Sequence, residues 1–69
     1  MSPEEALEAL AKRDPVAAKA IDLFCFHGTT YREAAPALSM TLTDFRRIMK
    51  RAIPLLRRIM GADEADSVE

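Results

Sequence analysis

Residues 28 to 47, GTTYREAAPALSMTLTDFRR, carry the same helix-start pattern twice. Glu33 follows Thr30 by three positions, and Asp44 follows Thr41 by three. A threonine with an acid three residues on is a capping signal: the hydroxyl accepts a hydrogen bond from an unpaired backbone N–H, and the carboxylate reaches back to the cap. The two starts lie so close that the helix opened by the first is about two turns long. Two helices joined by about three residues (Ser39 and Met40 lie between them) cannot run comfortably antiparallel. They cross steeply, the arrangement of a helix-turn-helix. Ala34, Leu38, Met40, Phe45 and Ile48 are expected to point inward at that corner, with the small Ala35 at the close approach.

The rest of the chain reads as helix as well, with no alternating run long enough for a strand. In SPEEALEALAKR, Ser2 caps, Pro3 takes the first helical position, and Leu7 and Leu10 with Ala6 and Ala9 form the apolar stripe. In DPVAAKAIDLFCFHG, Asp14 caps, Pro15 again stands first, and Gly28 is a natural stop. Val16, Ala17, Ala20, Ile21, Phe24 and Cys25 recur at helical spacing there. The expected helices cover residues 3–12, 15–27, 31–38 and 42–60, followed by a polar, acidic tail over 61–69. Pro36 should bend or shorten the third helix by removing the bond to the Arg32 carbonyl. Ser39 stands where such turns usually carry glycine, so that turn is expected to be strained or differently shaped. Pro54 falls on the polar face of the fourth helix and is expected to kink it between an N-terminal half and a half that packs on the first helices.

The 69 residues make a single domain with no linker or repeat, small enough that its stability is marginal. Apolar residues make up 49% and charged residues 30%, which suits a folded domain. No apolar run approaches a membrane span and no secretory signal opens the chain, so a cytoplasmic location with no membrane partner is expected. A single cysteine, Cys25, precludes an internal disulfide and a cysteine zinc cluster. It is expected in the core, as free cysteines usually are. The methionines at 40, 49 and 60 sit on core spacing, and His27 reads as a helix-end residue favoured by the dipole. No Ser/His/Asp set, carboxylate pair or glycine-rich phosphate loop is present, so neither an enzyme nor a cofactor or metal is expected.

The formal net charge of −1 conceals a segregated pattern. Glu4, Glu5 and Glu8 lie at one end and Asp63, Glu64, Asp66 and Glu69 at the other. All ten basic residues lie between Lys12 and Arg58, against only Asp14, Asp22, Glu33 and Asp44. A basic body can meet a polyanion. The fourth helix concentrates that charge. Phe45, Ile48, Met49, Ala52, Leu56 and Ile59 follow i, i+3, i+4, i+7 spacing as its buried stripe. Its other face carries Thr43, Arg46, Arg47, Lys50, Arg51, Arg57 and Arg58.

The second helix of a helix-turn-helix enters the major groove with its N-terminal residues nearest the bases. Thr41, Leu42, Thr43, Arg46, Arg47 and Lys50 are therefore the expected base-contacting or clamping residues, since Arg suits the acceptor pair of guanine and Thr can bond or touch a thymine methyl. Lys50, Arg51, Arg57 and Arg58 suit phosphates. Thr30, Tyr31 and Arg32, at the start of the third helix, offer a further phosphate seat, although Tyr31 reads equally well as an aromatic packed beside the cap.

From about Leu7 to Met60 the chain resembles region 4 of bacterial sigma factors, especially the extracytoplasmic-function type. The residues that carry the resemblance are DLFCFHG, a helix ending in an aromatic and a glycine; TYREAA; and DFRRIMKRAIPLLRRIM, an arginine-rich helix with an Arg–Ala pair. The resemblance implies an all-α fold, a small four-helix domain in which a winged-helix-like or sigma region 4-like three-helix core holds the helix-turn-helix behind an added N-terminal helix. It also implies binding to the upstream (−35) promoter element of double-stranded DNA and docking on the β flap of bacterial RNA polymerase. The chain has no room for the sigma region that melts promoter DNA. An excised domain, a subunit of a split sigma with a companion sigma or regulator, and a small regulator on the same fold are the remaining roles. A lone unit of this kind would bind weakly unless it forms a homodimer or is held on DNA by polymerase. The alternative reading is a protein-interaction module that meets polymerase, a sigma factor or another regulator without binding DNA itself.

Overall fold

A computed structural model describes residues 2–61, and these are helical with no strand among them. The protein is a small all-α domain. The first helix, α1, spans Pro3–Arg13 and the second, α2, begins at Pro15–Ile21 and continues as a π-helical turn over Asp22–Phe26. The third, α3, spans Tyr31–Ala37 and the fourth, α4, spans Leu42–Met60. The acidic tail expected beyond Gly61 lies outside the described residues.

Each start is built as its residues dictate. Ser2 and Thr30 form full capping boxes: each hydroxyl accepts the backbone N–H three residues on, and the carboxylates of Glu5 and Glu33 accept the cap N–H at 3.0 and 2.9 Å. Thr41 forms only half of one. Its hydroxyl accepts the Asp44 N–H at 3.1 Å, but no return bond joins the Asp44 carboxylate to the cap. Aspartate is one methylene shorter than the glutamate the box normally uses. Asp14 is the whole joint between α1 and α2. Its N–H closes α1 onto the Leu10 carbonyl at 2.7 Å, and its Oδ1 opens α2 by accepting the Ala17 N–H at 3.2 Å.

The turn between α3 and α4 is a Schellman motif with serine in the glycine place. Ser39 adopts φ 58°, its N–H donates to the Pro36 carbonyl, and the Met40 N–H donates to the Ala35 carbonyl. The strain expected at this position is thus a left-handed residue with a Cβ, which costs about 1–2 kcal/mol. Pro36 sits inside α3, which ends one residue later at Ala37. Pro54 is exposed, and α4 runs through it to Met60.

The core is thin and rich in alanine. Its large, fully buried side chains are Phe45, Leu10, Ile21 and Met49, one or more from α1, α2 and α4. Each contributes about 1.5–3 kcal/mol of burial free energy. Ala17, Ala18, Ala20, Ala34, Ala35 and Ala52 fill the spaces between, and the small side chains let the helices come close. Leu38, Met40, Ile48, Leu56 and Ile59 pack around them. The corner residues expected inside are therefore inside or at its edge.

The second helix departs from its expected stripe. A π turn holds a residue more than an α turn, so the 3.6-residue spacing fails beyond Ile21. Leu23 packs on the core, whereas Phe24 is 38% exposed, Phe26 is 41% exposed, and Cys25 lies at the surface. Cys25 is not the core residue its type suggests. Val16, at the start of α2, and Met60, at the end of α4, are likewise exposed. The π turn closes with the His27 N–H on the Asp22 carbonyl, and Gly28 at φ 70° reverses the chain so that Thr29 donates both its N–H and its hydroxyl to the Leu23 carbonyl.

Candidate nucleic-acid interface

On a wheel of 3.6 residues per turn, Thr43, Arg46, Arg47, Lys50, Arg57 and Arg58 fall within an arc of about 120°. All six are exposed, and no ion pair joins their cations to any described residue. The face extends about 22 Å along the axis from Thr43 to Arg58, at 1.5 Å per residue. Phe45, Met49 and Ala52, on the opposite side, are buried. The packing of that apolar side fixes the direction in which the cations point.

The residues at the start of α4 are arranged unequally. Thr41 spends a hydroxyl lone pair on its cap, which leaves the O–H free to donate outward. Leu42 is half-buried and Thr43 fully exposed. Asp44, the one acid of the first turn, is exposed beside them.

At the start of α3 the three residues expected to seat a phosphate are placed differently from one another. The Thr30 hydroxyl is engaged by Glu33 from both sides, accepting its N–H and donating to its carboxylate at 3.2 Å. The Glu33 carboxylate itself fills the place of an anion, accepting the Thr30 N–H. Those bonds, the backbone one foremost, hold the Glu33 pKa below its ordinary value and keep it charged. Tyr31 is half-buried. Its ring stands edge-on to Phe24 at 4.9 Å and to Phe45 at 5.1 Å, on the buried side of α4. Arg32 is exposed at the second position of α3.

Arg51 is also placed differently from its neighbours. Its Nε donates to Asp14 Oδ2 at 2.8 Å, so it ties the middle of α4 to the α1–α2 joint. Nothing local in the sequence marks this pair, since 37 positions separate its members. The capping signal finds Asp14 but only for its other oxygen.

A second surface lies away from α4. Leu7, Ala11 and Ala18 floor an open groove of about 330 Å³ between α1 and α2, edged by Glu8, Pro15, Lys19 and Asp22. At the π turn, His27 Nε2 sits 3.4 Å from Asp22 Oδ2, both exposed in part. Among the described residues no three of His, Cys, Asp or Glu gather in a way that could hold a metal ion, and no helix is long and apolar enough to cross a membrane. The chain matches no protein-family model, no curated protein and no solved structure.

Proposed function

We propose that the protein is a DNA-binding transcription regulator or a sigma region 4-like subunit, in which α3, the turn at Ser39 and α4 act as a helix-turn-helix. The observation that supports this reading is the exposed face of α4, where Thr43 and five cations share one side of a helix whose other side is buried. In the proposed complex α4 enters the major groove of promoter DNA. Thr43, Arg46 and Arg47 meet base edges, with Thr41 and Leu42 at the groove wall. Lys50, Arg57 and Arg58 hold phosphates, which set register without reading sequence. The protein works in the bacterial cytoplasm, and RNA polymerase holds it on the promoter.

Fluorescence anisotropy of a labelled promoter-like duplex, titrated at two salt concentrations, tests the reading. The protein should bind with a log–log salt slope that grows by about 0.9 per phosphate neutralised. Arg46→Ala/Arg47→Ala should abolish most of the affinity. Absence of binding by the parent protein at low salt sinks the proposal.

The groove between α1 and α2 favours a second reading, a module that docks on polymerase, a sigma factor or another regulator through that face. In that case Arg46→Ala/Arg47→Ala leaves partner binding intact.

A further inference from the structure

Asp14 spends both carboxylate oxygens inside the molecule. Oδ1 accepts the Ala17 N–H at 3.2 Å and Oδ2 accepts Arg51 Nε–H at 2.8 Å. The carboxylate side chain is 21% exposed, whereas the arginine side chain is 54% exposed. A guanidinium is planar and holds its five N–H bonds in a fixed fork, so pinning Nε fixes the direction of the other four. The two outer nitrogens of Arg51 have no hydrogen-bond partner among the described residues. Arg51 follows Arg47 by one turn and flanks the basic arc on the side of the α1–α2 joint.

We propose that Asp14 is a positioning residue for nucleic-acid binding, holding Arg51 Nε so that the outer Nη groups face a backbone phosphate beside the groove that α4 enters. The inference rests on the DNA-binding reading above and deepens it. A free surface arginine must give up side-chain freedom when it binds, whereas Arg51 has given it up on folding. The outer Nη pair can meet two phosphate oxygens in the bidentate geometry that lysine lacks. Arg51 thus keeps the phosphate role expected from its sequence position, but as an aimed group rather than a loose charge.

The sign of one substitution separates this proposal from simple electrostatics. Removing a negative charge from a basic surface should strengthen attraction to DNA. Asp14→Asn keeps a good helix cap, because asparagine caps as well as aspartate. Its amide nitrogen, however, turns a donor toward Arg51 Nε and ends the hold. The proposal therefore expects weaker binding, by about three- to tenfold, despite the lost negative charge.

The experiment uses the full chain and a short fluorescein-labelled duplex of mixed sequence, since phosphate contacts are sequence-independent. Five proteins are titrated: parent, Asp14→Asn, Arg51→Lys, the Asp14→Asn/Arg51→Lys double variant, and Arg46→Ala/Arg47→Ala as the control for α4. Arg51→Lys keeps the charge and can still pair with Asp14, but it cannot also present a bidentate pair. It should lose as much affinity as Asp14→Asn, and the double variant should lose no more than Arg51→Lys. Melting curves report whether Asp14→Asn folds; if it does not, Arg51→Lys decides alone. Binding by Asp14→Asn or by Arg51→Lys at parental strength or better overturns the positioning role, while a control that loses binding leaves the DNA reading standing. If the parent protein does not bind the duplex, both fall together.

Discussion

The ring of Tyr31 meets the ring of Phe45 edge-on at a centroid distance of 5.1 Å, and Phe45 has no exposed surface. The first residue of α3 is thereby fixed on the buried side of α4, and Phe24 continues the aromatic row on the far side of Tyr31. Phe45→Ala should cost about 3–5 kcal/mol through lost burial and the cavity left behind. Total stability in a domain this size is only about 3–10 kcal/mol, at 0.05–0.15 kcal/mol per residue. Far-UV circular dichroism during urea titration should therefore show the variant largely unfolded. Tyr31→Phe keeps the ring and should change stability by less than about 0.5 kcal/mol. It should also leave DNA affinity untouched; a loss would favour the phosphate contact over the aromatic packing, the two roles that the sequence position suggests.

Ser39 offers the opposite kind of change. Its φ of 58° is the region glycine enters freely and a residue with a Cβ enters at a cost. Ser39→Gly relieves that strain but gives the unfolded chain more freedom, so the net gain is about 0.5–1 kcal/mol. The thermal midpoint should rise by several degrees, at about 4–8 °C per kcal/mol for a domain this small. Ser39→Val, branched at Cβ, should lower it. A midpoint unmoved by glycine would mean that the strain is no larger than the freedom the unfolded chain gains.

Acid should loosen the helix starts. The carboxylates of Glu5 and Glu33 are held below their ordinary value, first by the backbone N–H of Ser2 and of Thr30 and then by the hydroxyls of the same residues. Both prefer the charged form in the folded protein more than in the unfolded chain. Their contribution is therefore complete above the ordinary glutamate value of about 4.3 and is lost as pH falls through the lowered folded value. Thermal midpoints measured from neutral pH downward should fall in that window. Glu5→Gln/Glu33→Gln, whose amides can still accept the cap bond, should flatten the fall. An unchanged acid limb would place the responsible carboxylates elsewhere.

What could be read from the sequence was what neighbours in the chain decide. Ser2, Asp14, Thr30 and Thr41 act on backbone groups within three residues of themselves, and all four cap the helices their spacing announces. The stripe of α4 follows from one regular period: Phe45, Met49 and Ala52 are buried, and Ile48, Leu56 and Ile59 pack half-buried beside them. The π turn interrupts such a period without any residue that marks the break, which is why the spacing puts Phe24 and Cys25 on the wrong side. The missing return bond at Thr41 turns on a single methylene in Asp44. Arg51 was legible as a cation but not as the partner of Asp14, because only the folded chain brings the two together. Thr30, Tyr31 and Arg32 look alike as a helix start, yet one is bonded to Glu33, one is packed in the core edge and one is free at the surface.

Seven of the eleven buried apolar residues are alanines. A core of this kind releases little hydrocarbon surface to water when it opens, and the heat capacity of unfolding comes chiefly from such surface. The stability curve of the domain is accordingly shallow, changing little over tens of degrees around its maximum. The same small scale limits the enthalpy of melting to about 40 kcal/mol for the roughly 60 described residues, so the transition spreads over tens of degrees instead of breaking at one. Warming would thin the folded population gradually, and the DNA binding proposed for α4 would then fade by degrees with temperature instead of switching off.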